Sequence, residues 1–189
     1  LQTSCEIKEA RSDDISIGEG QLKLTINDGK LYSELMFADF FGGELRADVT
    51  ATAVADSLAW SVNLDGRRIA TERLLDNADV ALRWSAPLAI ELALKMQGNQ
   101  PHALLESVRG GGTFNADGGT LDVQSIKAIV SLLHQVANKD DPAAHWPDDL
   151  QYRTLSGGWQ ITGRDNTFDI NLDNIKAAAS GFINHQEQY

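Results

Sequence analysis

Five glycines crowd the stretch LESVRGGGTFNADGGTLDVQSIKAIVSLL, three in succession at Gly110, Gly111 and Gly112 and two more at Gly118 and Gly119. A Gly-rich run ahead of a helix is the pattern of many phosphate-binding loops, where close-approaching backbone N–H groups surround the anion. The P-loop form G-x-x-x-x-G-K-[ST] also needs a lysine on the terminal phosphates, and none follows these glycines before Lys127. The dinucleotide form G-x-G-x-x-G fails because Asn115 stands where its third glycine belongs. The glycines therefore read as structural. Gly110, Gly111 and Gly112 end a helix and start a strand, and Asp117-Gly118-Gly119 makes a tight turn towards a helix after Asp122.

Other reactive side chains form no constellation. His102, His134, His145 and His185 are scattered, with no H-x-x-x-H or H-E-x-x-H spacing, so no metal site is expected. Asp140, Asp141, Asp148 and Asp149 lack the D-x-D-x-D-G spacing of a calcium loop and read as a solvated acidic segment. Ser156 lies in LSGG without the G-x-S-x-G context of a nucleophile. No catalytic residue and no cofactor is expected, and the chain reads as a non-enzyme.

The elements that would carry any site are mainly strands. Apolar and polar residues alternate in QLKLTIN (Leu22, Leu24, Ile26) and, past the turn residues Asp28-Gly29, in KLYSELMF (Leu31, Leu35, Phe37). GELRADVTATA and LAWSVNLDG continue the pattern with Leu45 and Val49, then Leu58, Trp60 and Val62, and should pair as antiparallel neighbours. PLAIELALKMQG carries Leu88, Ile90, Leu92, Leu94 and Met96 on one side. GGWQITGR, TFDINLDN and IKAAASGFIN complete the set, with Trp159, Ile161, Phe168 and Ile170 on their apolar sides. Short helices are predicted over residues 71–76, with Thr71 as cap, and over PHALLESV, with Pro101 in its first turn. The strongest helical periodicity runs over 123–137, with Asp122 as N-cap, followed by a polar loop punctuated by Pro142 and Pro147.

The 189 residues suffice for one domain with a core, read here as residues 20–189, with 1–19 as a leader ahead of it. The fold class expected is α+β, mainly antiparallel β: a curved sheet with one apolar face and two to three short helices. A net charge of −11 without a Lys/Arg cluster argues against nucleic acid and against docking on an anionic membrane surface. Cys5, the only cysteine, excludes an intrachain disulfide and fits the cytosol or the periplasm. The chain opens at Leu1 with no Met, signal peptide or long apolar run, and is expected to be a piece of a longer protein. The apolar stripe has two readings, a closed core or an open trough for acyl chains, and periodicity does not separate them because both require the same alternation. Pattern alone favours the core.

The order of elements resembles the C-terminal region of the AsmA family over about residues 20–184. The likeness rests on NDGKLYSELMFADFFGGELRADVTATA, LAWSVNLDGRRIATERLL, the glycine stretch with DVQSIKAIVSLL, and YRTLSGGWQITGRDNTFDINLDNIKAAASGFIN. Within it, Phe41-Gly42-Gly43-Glu44-Leu45 is similar to an aromatic-Gly-Gly turn between strands. The resemblance implies a non-enzymatic periplasmic domain of an inner-membrane-anchored protein of the Gram-negative envelope. Its apolar β-groove would serve phospholipid transport between inner and outer membrane, and outer-membrane assembly. The implied partner is a phospholipid or other acyl-chain lipid, with an envelope protein as a second. The residues expected to line the groove are Leu45, Val49, Leu58, Trp60, Val62, Ile90, Leu92, Leu94, Trp159, Ile161, Phe168 and Ile170. The alternative is a docking or assembly module of the envelope with a closed core and no lipid.

Overall fold

Strict alternation favours strands because successive side chains point to opposite sides of a pleated backbone. The computed structural model describes residues 1–8, 10–12, 15–78, 82–124 and 147–182, and strands dominate them. In chain order they are β1 (Gln2–Ile7), β2 (Ala10–Ser12), β3 (Ile15–Ile17), β4 (Gly20–Asn27), β5 (Lys30–Phe40), β6 (Gly43–Val54) and β7 (Ser57–Ala70). There follow β8 (Trp84–Ser85), β9 (Pro87–Gln97), β10 (Arg109–Asp122), β11 (Asp149–Thr162), β12 (Asp165–Leu172) and β13 (Ile175–Phe182). Among the described residues there are two short helices, α1 (Thr71–Asn77) between β7 and β8 and α2 (Pro101–Ser107) between β9 and β10.

One open sheet takes the order β1-β4-β5-β6-β7-β9-β10-β11-β12-β13, with β8 added against β10, while β2 and β3 form a separate pair. Every ladder is antiparallel. The sheet is thus a meander whose neighbours in space are mostly neighbours in sequence, with two-residue hairpins joining β4–β5, β5–β6, β6–β7, β11–β12 and β12–β13. The β4–β5 turn has Asp28 at φ 48° and Gly29 at φ 71°, the double left-handed conformation whose twist matches the flanking strands. Phe41 (φ 52°) and Gly42 (φ 83°) repeat it between β5 and β6, at the aromatic-Gly-Gly motif.

Three local expectations meet a different outcome, and a fourth falls outside the described residues. The segment 1–19, read as a leader, contributes β1, which pairs with β4 from Gln2↔Thr25 to Ile7↔Gly20. The turn expected at Asp117-Gly118-Gly119 is the interior of β10. The β11 register is the same on either side of Gly118, Asp117↔Thr154 and Gly119↔Tyr152, so Gly118 takes φ 65° without reversing the chain. Main-chain pairing of Asp117 and Gly119 with β11 overrides the local turn preference. Thr71 does not cap α1, whose N-cap is Ala70 with no side-chain bond; Thr71 is the first helical residue. The helix expected over 123–137 lies almost wholly outside the described residues, although the Gln124 N–H does donate to the Asp122 carboxylate at 2.8 Å.

Buried residues are few and gather where the chain leaves the sheet through α1 and β8. Thr71 has no exposed surface, and its Oγ1 donates to the Trp84 carbonyl at 2.6 Å while accepting the Ala86 N–H at 2.9 Å. Around it pack Phe41, Ile69 and Leu88 with Leu74 and Trp84, and a second cluster of Ala86, Ala116, Tyr152 and Leu155 adjoins through Trp84 and Phe114. The Trp84 indole N–H donates to the Tyr152 hydroxyl. Burial pushes the Tyr152 phenol pKa up, and the hydrogen bond from Trp84 only partly offsets it.

Two predictions follow from these contacts. Thr71→Val keeps the shape but strands a buried N–H and a carbonyl, so urea unfolding should show a loss of about 1–3 kcal/mol, which Thr71→Ser largely recovers. At the β12–β13 hairpin, the Asp173 carboxylate accepts the N–H groups of Thr154 at 2.9 Å and Arg153 at 3.0 Å. These bonds, that of Thr154 foremost, hold its pKa below the usual carboxylate value. A carboxyl lowered on folding contributes stability above its unfolded pKa and loses it as the pH falls through the folded one. The urea midpoint of Asp173→Asn, which like Asp tolerates the φ of 48° at this position, should therefore lie below wild type at neutral pH and converge with it in acid.

Candidate functional site

Residues directly opposite in a ladder share a side of the sheet, so register carries the sidedness of one strand to the next. Leu45 faces Gly66, Val49 faces Val62, and Leu58 and Trp60 face Ala53 and Ala51. Val62 then meets Leu94, Leu64 meets Leu92 and Gly66 meets Ile90. Across β10, Leu94 leads through Gly110 to Ile161, Leu92 through Gly112 to Trp159, and Ile90 to Phe114 and on to Gly157. Trp159 faces Phe168 and Gly157 faces Ile170. All twelve residues read from sequence as groove-lining thus fall on one side. None is buried: eleven are half-buried and Phe168 is 40% exposed.

The same register adds residues that the sequence reading did not assemble into the site. Leu22 and Leu24 of β4, Leu31, Leu35 and Phe37 of β5, Leu64 and Met96 join this side. Phe114 joins it from within the glycine stretch. Its signal was present as the alternation Gly110, Gly112, Phe114, Ala116, masked because glycine carries no hydrophobic mark. At one end the side is closed: Ile69, Leu88, Ala116 and Leu155 are buried beneath α1 and Trp84. Beyond that end, among the described residues, no element is packed over it.

The glycines make room for rings on this side. A Cβ at Gly112 would stand 2.5 Å from Trp159 Cζ2, and one at Gly157 would stand 2.5 Å from Phe114 Cε1. Each ring lies across the ladder over the glycine opposite it. Phe114 and Phe168 stack at 6.4 Å with planes 19° apart, continuing the aromatic row.

The other side of the sheet carries the ion pairs, with Tyr32 and Met36 exposed among them. Arg46 Nη2 pairs with Glu34 at 3.1 Å, its Nε with Asp48 at 3.1 Å, and Arg67 Nε with Asp65 at 2.8 Å. The Arg67 hydrogen bond, opposed by partial desolvation, leaves the Asp65 carboxyl below its usual pKa. Shallow hollows here include one of about 650 Å³ lined by Arg46, Asp48, Asp65, Glu91 and Gln160, and one of about 460 Å³ lined by Asn115, Ser156, Asp169 and Asn171. Their carboxylates face guanidinium groups or solvent. Such exposed pairs are worth little to stability. Among the described residues no group of three or more His, Cys, Asp or Glu is placed to hold a metal ion. Nor is any helix among them long and apolar enough to cross a membrane.

The chain matches no family model, no curated protein and no solved structure. Sidedness and exposure are therefore the observations on which a function must rest. They also generate a packing prediction. Gly112→Ala drives a methyl into the Trp159 ring and the Glu91 carbonyl, and should cost about 1–3 kcal/mol in urea unfolding. Gly181→Ala, with nothing within 4 Å, should cost far less.

Proposed function

We propose that the chain is a lipid-carrying β-domain, a curved sheet whose apolar face receives the acyl chains of a phospholipid or similar lipid. The observation that carries this reading is that Trp60, Val62, Leu92, Leu94, Trp159 and Phe168 share one side of the sheet while remaining half-buried or exposed. Burying apolar area is favourable by roughly 0.8 kcal/mol per CH₂, so an extended acyl chain laid over these residues gains several such increments. A headgroup would project past the open end, away from the lid formed by α1 and Trp84. The resemblance to the AsmA family supports the same direction: a non-enzymatic periplasmic part of a membrane-anchored envelope protein, engaged in phospholipid transport and outer-membrane assembly.

The test is native mass spectrometry of the purified chain together with photo-crosslinking to lipid in membrane extracts. A crosslinker replacing Trp60 or Ile90 should label phospholipid, while one replacing Asn63, on the opposite side, should not. Leu92→Asp should cut binding of a fluorescent fatty acid about tenfold or more by placing a carboxylate in the acyl path. Protein free of lipid, with no crosslinks from Trp60 or Ile90, would sink the proposal. Crosslinks from those positions to an envelope protein alone would favour a docking module.

A further inference from the structure

Both ends of the sheet order are unpaired among the described residues: β1 at one edge and β13 at the other. An edge strand presents a row of free N–H and C=O groups, and proteins commonly blunt it with proline, charge or a bulge. β13 has a single charge, Lys176, no proline and an unbroken register with β12; all its residues are exposed, with Ile175 at 67% and Phe182 at 75%. β1 likewise has one charge, Glu6, and is exposed from Gln2 to Glu6. Leu1 and Ile26 exchange both main-chain hydrogen bonds, so the main-chain groups of Gln2, Ser4 and Glu6 point away from β4 to the free edge.

We propose that β13 of one copy of this chain pairs with β1 of a second copy, extending the sheet head to tail. Three features of the two edges agree on this. The path from β1 to β13 holds ten strands, an even number in an all-antiparallel order, so β13 and the β1 of a copy in the same orientation run antiparallel. Placing Lys176 opposite Glu6, the only charge on each edge, sets Ala177 opposite Cys5, Ala178 opposite Ser4 and Ile175 opposite Ile7. In that register sidedness is preserved. Cys5 and Ile7 lie on the side of Leu22, and Ala177 and Ile175 on the side of Ile170 and Leu172, so each side continues across the junction. The contact is heterologous, and repetition yields an open row of sheets. It is independent of whether the apolar side carries lipid.

Cys5 supplies the probe, being exposed and the only native thiol. Wild-type chain is mixed with a tagged Cys5→Ser/Ala177→Cys chain under mild oxidation, and the mixed disulfide is read on a non-reducing gel and located by peptide mass. The register predicts roughly tenfold more mixed disulfide than with Cys5→Ser/Ala178→Cys, whose thiol faces the opposite side. Lys176→Glu in the tagged chain should reduce the yield, and Glu6→Lys in the partner chain should restore it. Circular dichroism confirms that each variant keeps its strand content. Equal yields from positions 177 and 178, or no response to the charge exchange, overturns the proposal. So does an intramolecular disulfide in a separate Ala177→Cys chain that keeps Cys5, since the two edges would then meet within one molecule.

Discussion

Direct opposition across antiparallel ladders governs this molecule. Each strand hands its sidedness to the next, because a residue and its partner point the same way and a slip of one residue would invert every side chain beyond it. From Leu22 opposite Leu35, through Ala47, Leu64 and Leu92, to Gly112, Trp159 and Phe168, the handover holds over the sheet. Where a bulge intervenes, between Gly66 and Ile69 in β7, the pairing Ile69↔Leu88 restores the same side before the strand ends. A single lapse would have split the apolar row into two half-rows on opposite sides.

The same constraint explains why the buried nucleus is small and displaced. A single-layer sheet buries residues only where another element lies on it, and α1 with Trp84 lies over the end of β7, β9, β10 and β11. There Thr71, Ile69 and Ala116 lose almost all contact with solvent, whereas Leu92 and Val62, a few residues away on the same side, do not. Hydrogen bonds from Thr71 and between Trp84 and Tyr152 tie this cover to the sheet. Stability is thus concentrated at one end, and the remaining apolar surface is left for a ligand under the lipid reading.

Much of the strand content was legible because period-two alternation is a local property, and Leu45 to Ala53 or Leu88 to Met96 display it without interruption. The Asp28-Gly29 hairpin was legible for the same reason, since its left-handed backbone is a demand on those two residues alone. Gly118 misled because its preference for a turn is also local, yet β11 pairs with both of its neighbours and the strand continues through it. Thr71 misled in the opposite sense. A threonine ahead of a helical pattern resembles a cap, and only the arrival of Trp84 and Ala86 from beyond α1 makes it a buried tie.

By itself the sequence determined that strands would form, which residues of each would be apolar, and that the glycine stretch carries no phosphate-binding pattern. Those outcomes depend on side-chain chemistry and backbone preference within a few residues. Only the tertiary structure decided that the apolar sides of separate strands coincide, that Phe114 belongs with them, and that the cover formed by the described residues lies at one end. Sidedness between strands depends on register, and cover depends on where a distant segment comes to lie; neither is encoded in local periodicity. The run RGGG is the clearest case. Glycine was permitted there by the sequence, but the reason for it at Gly112 is the Trp159 ring brought opposite by β11.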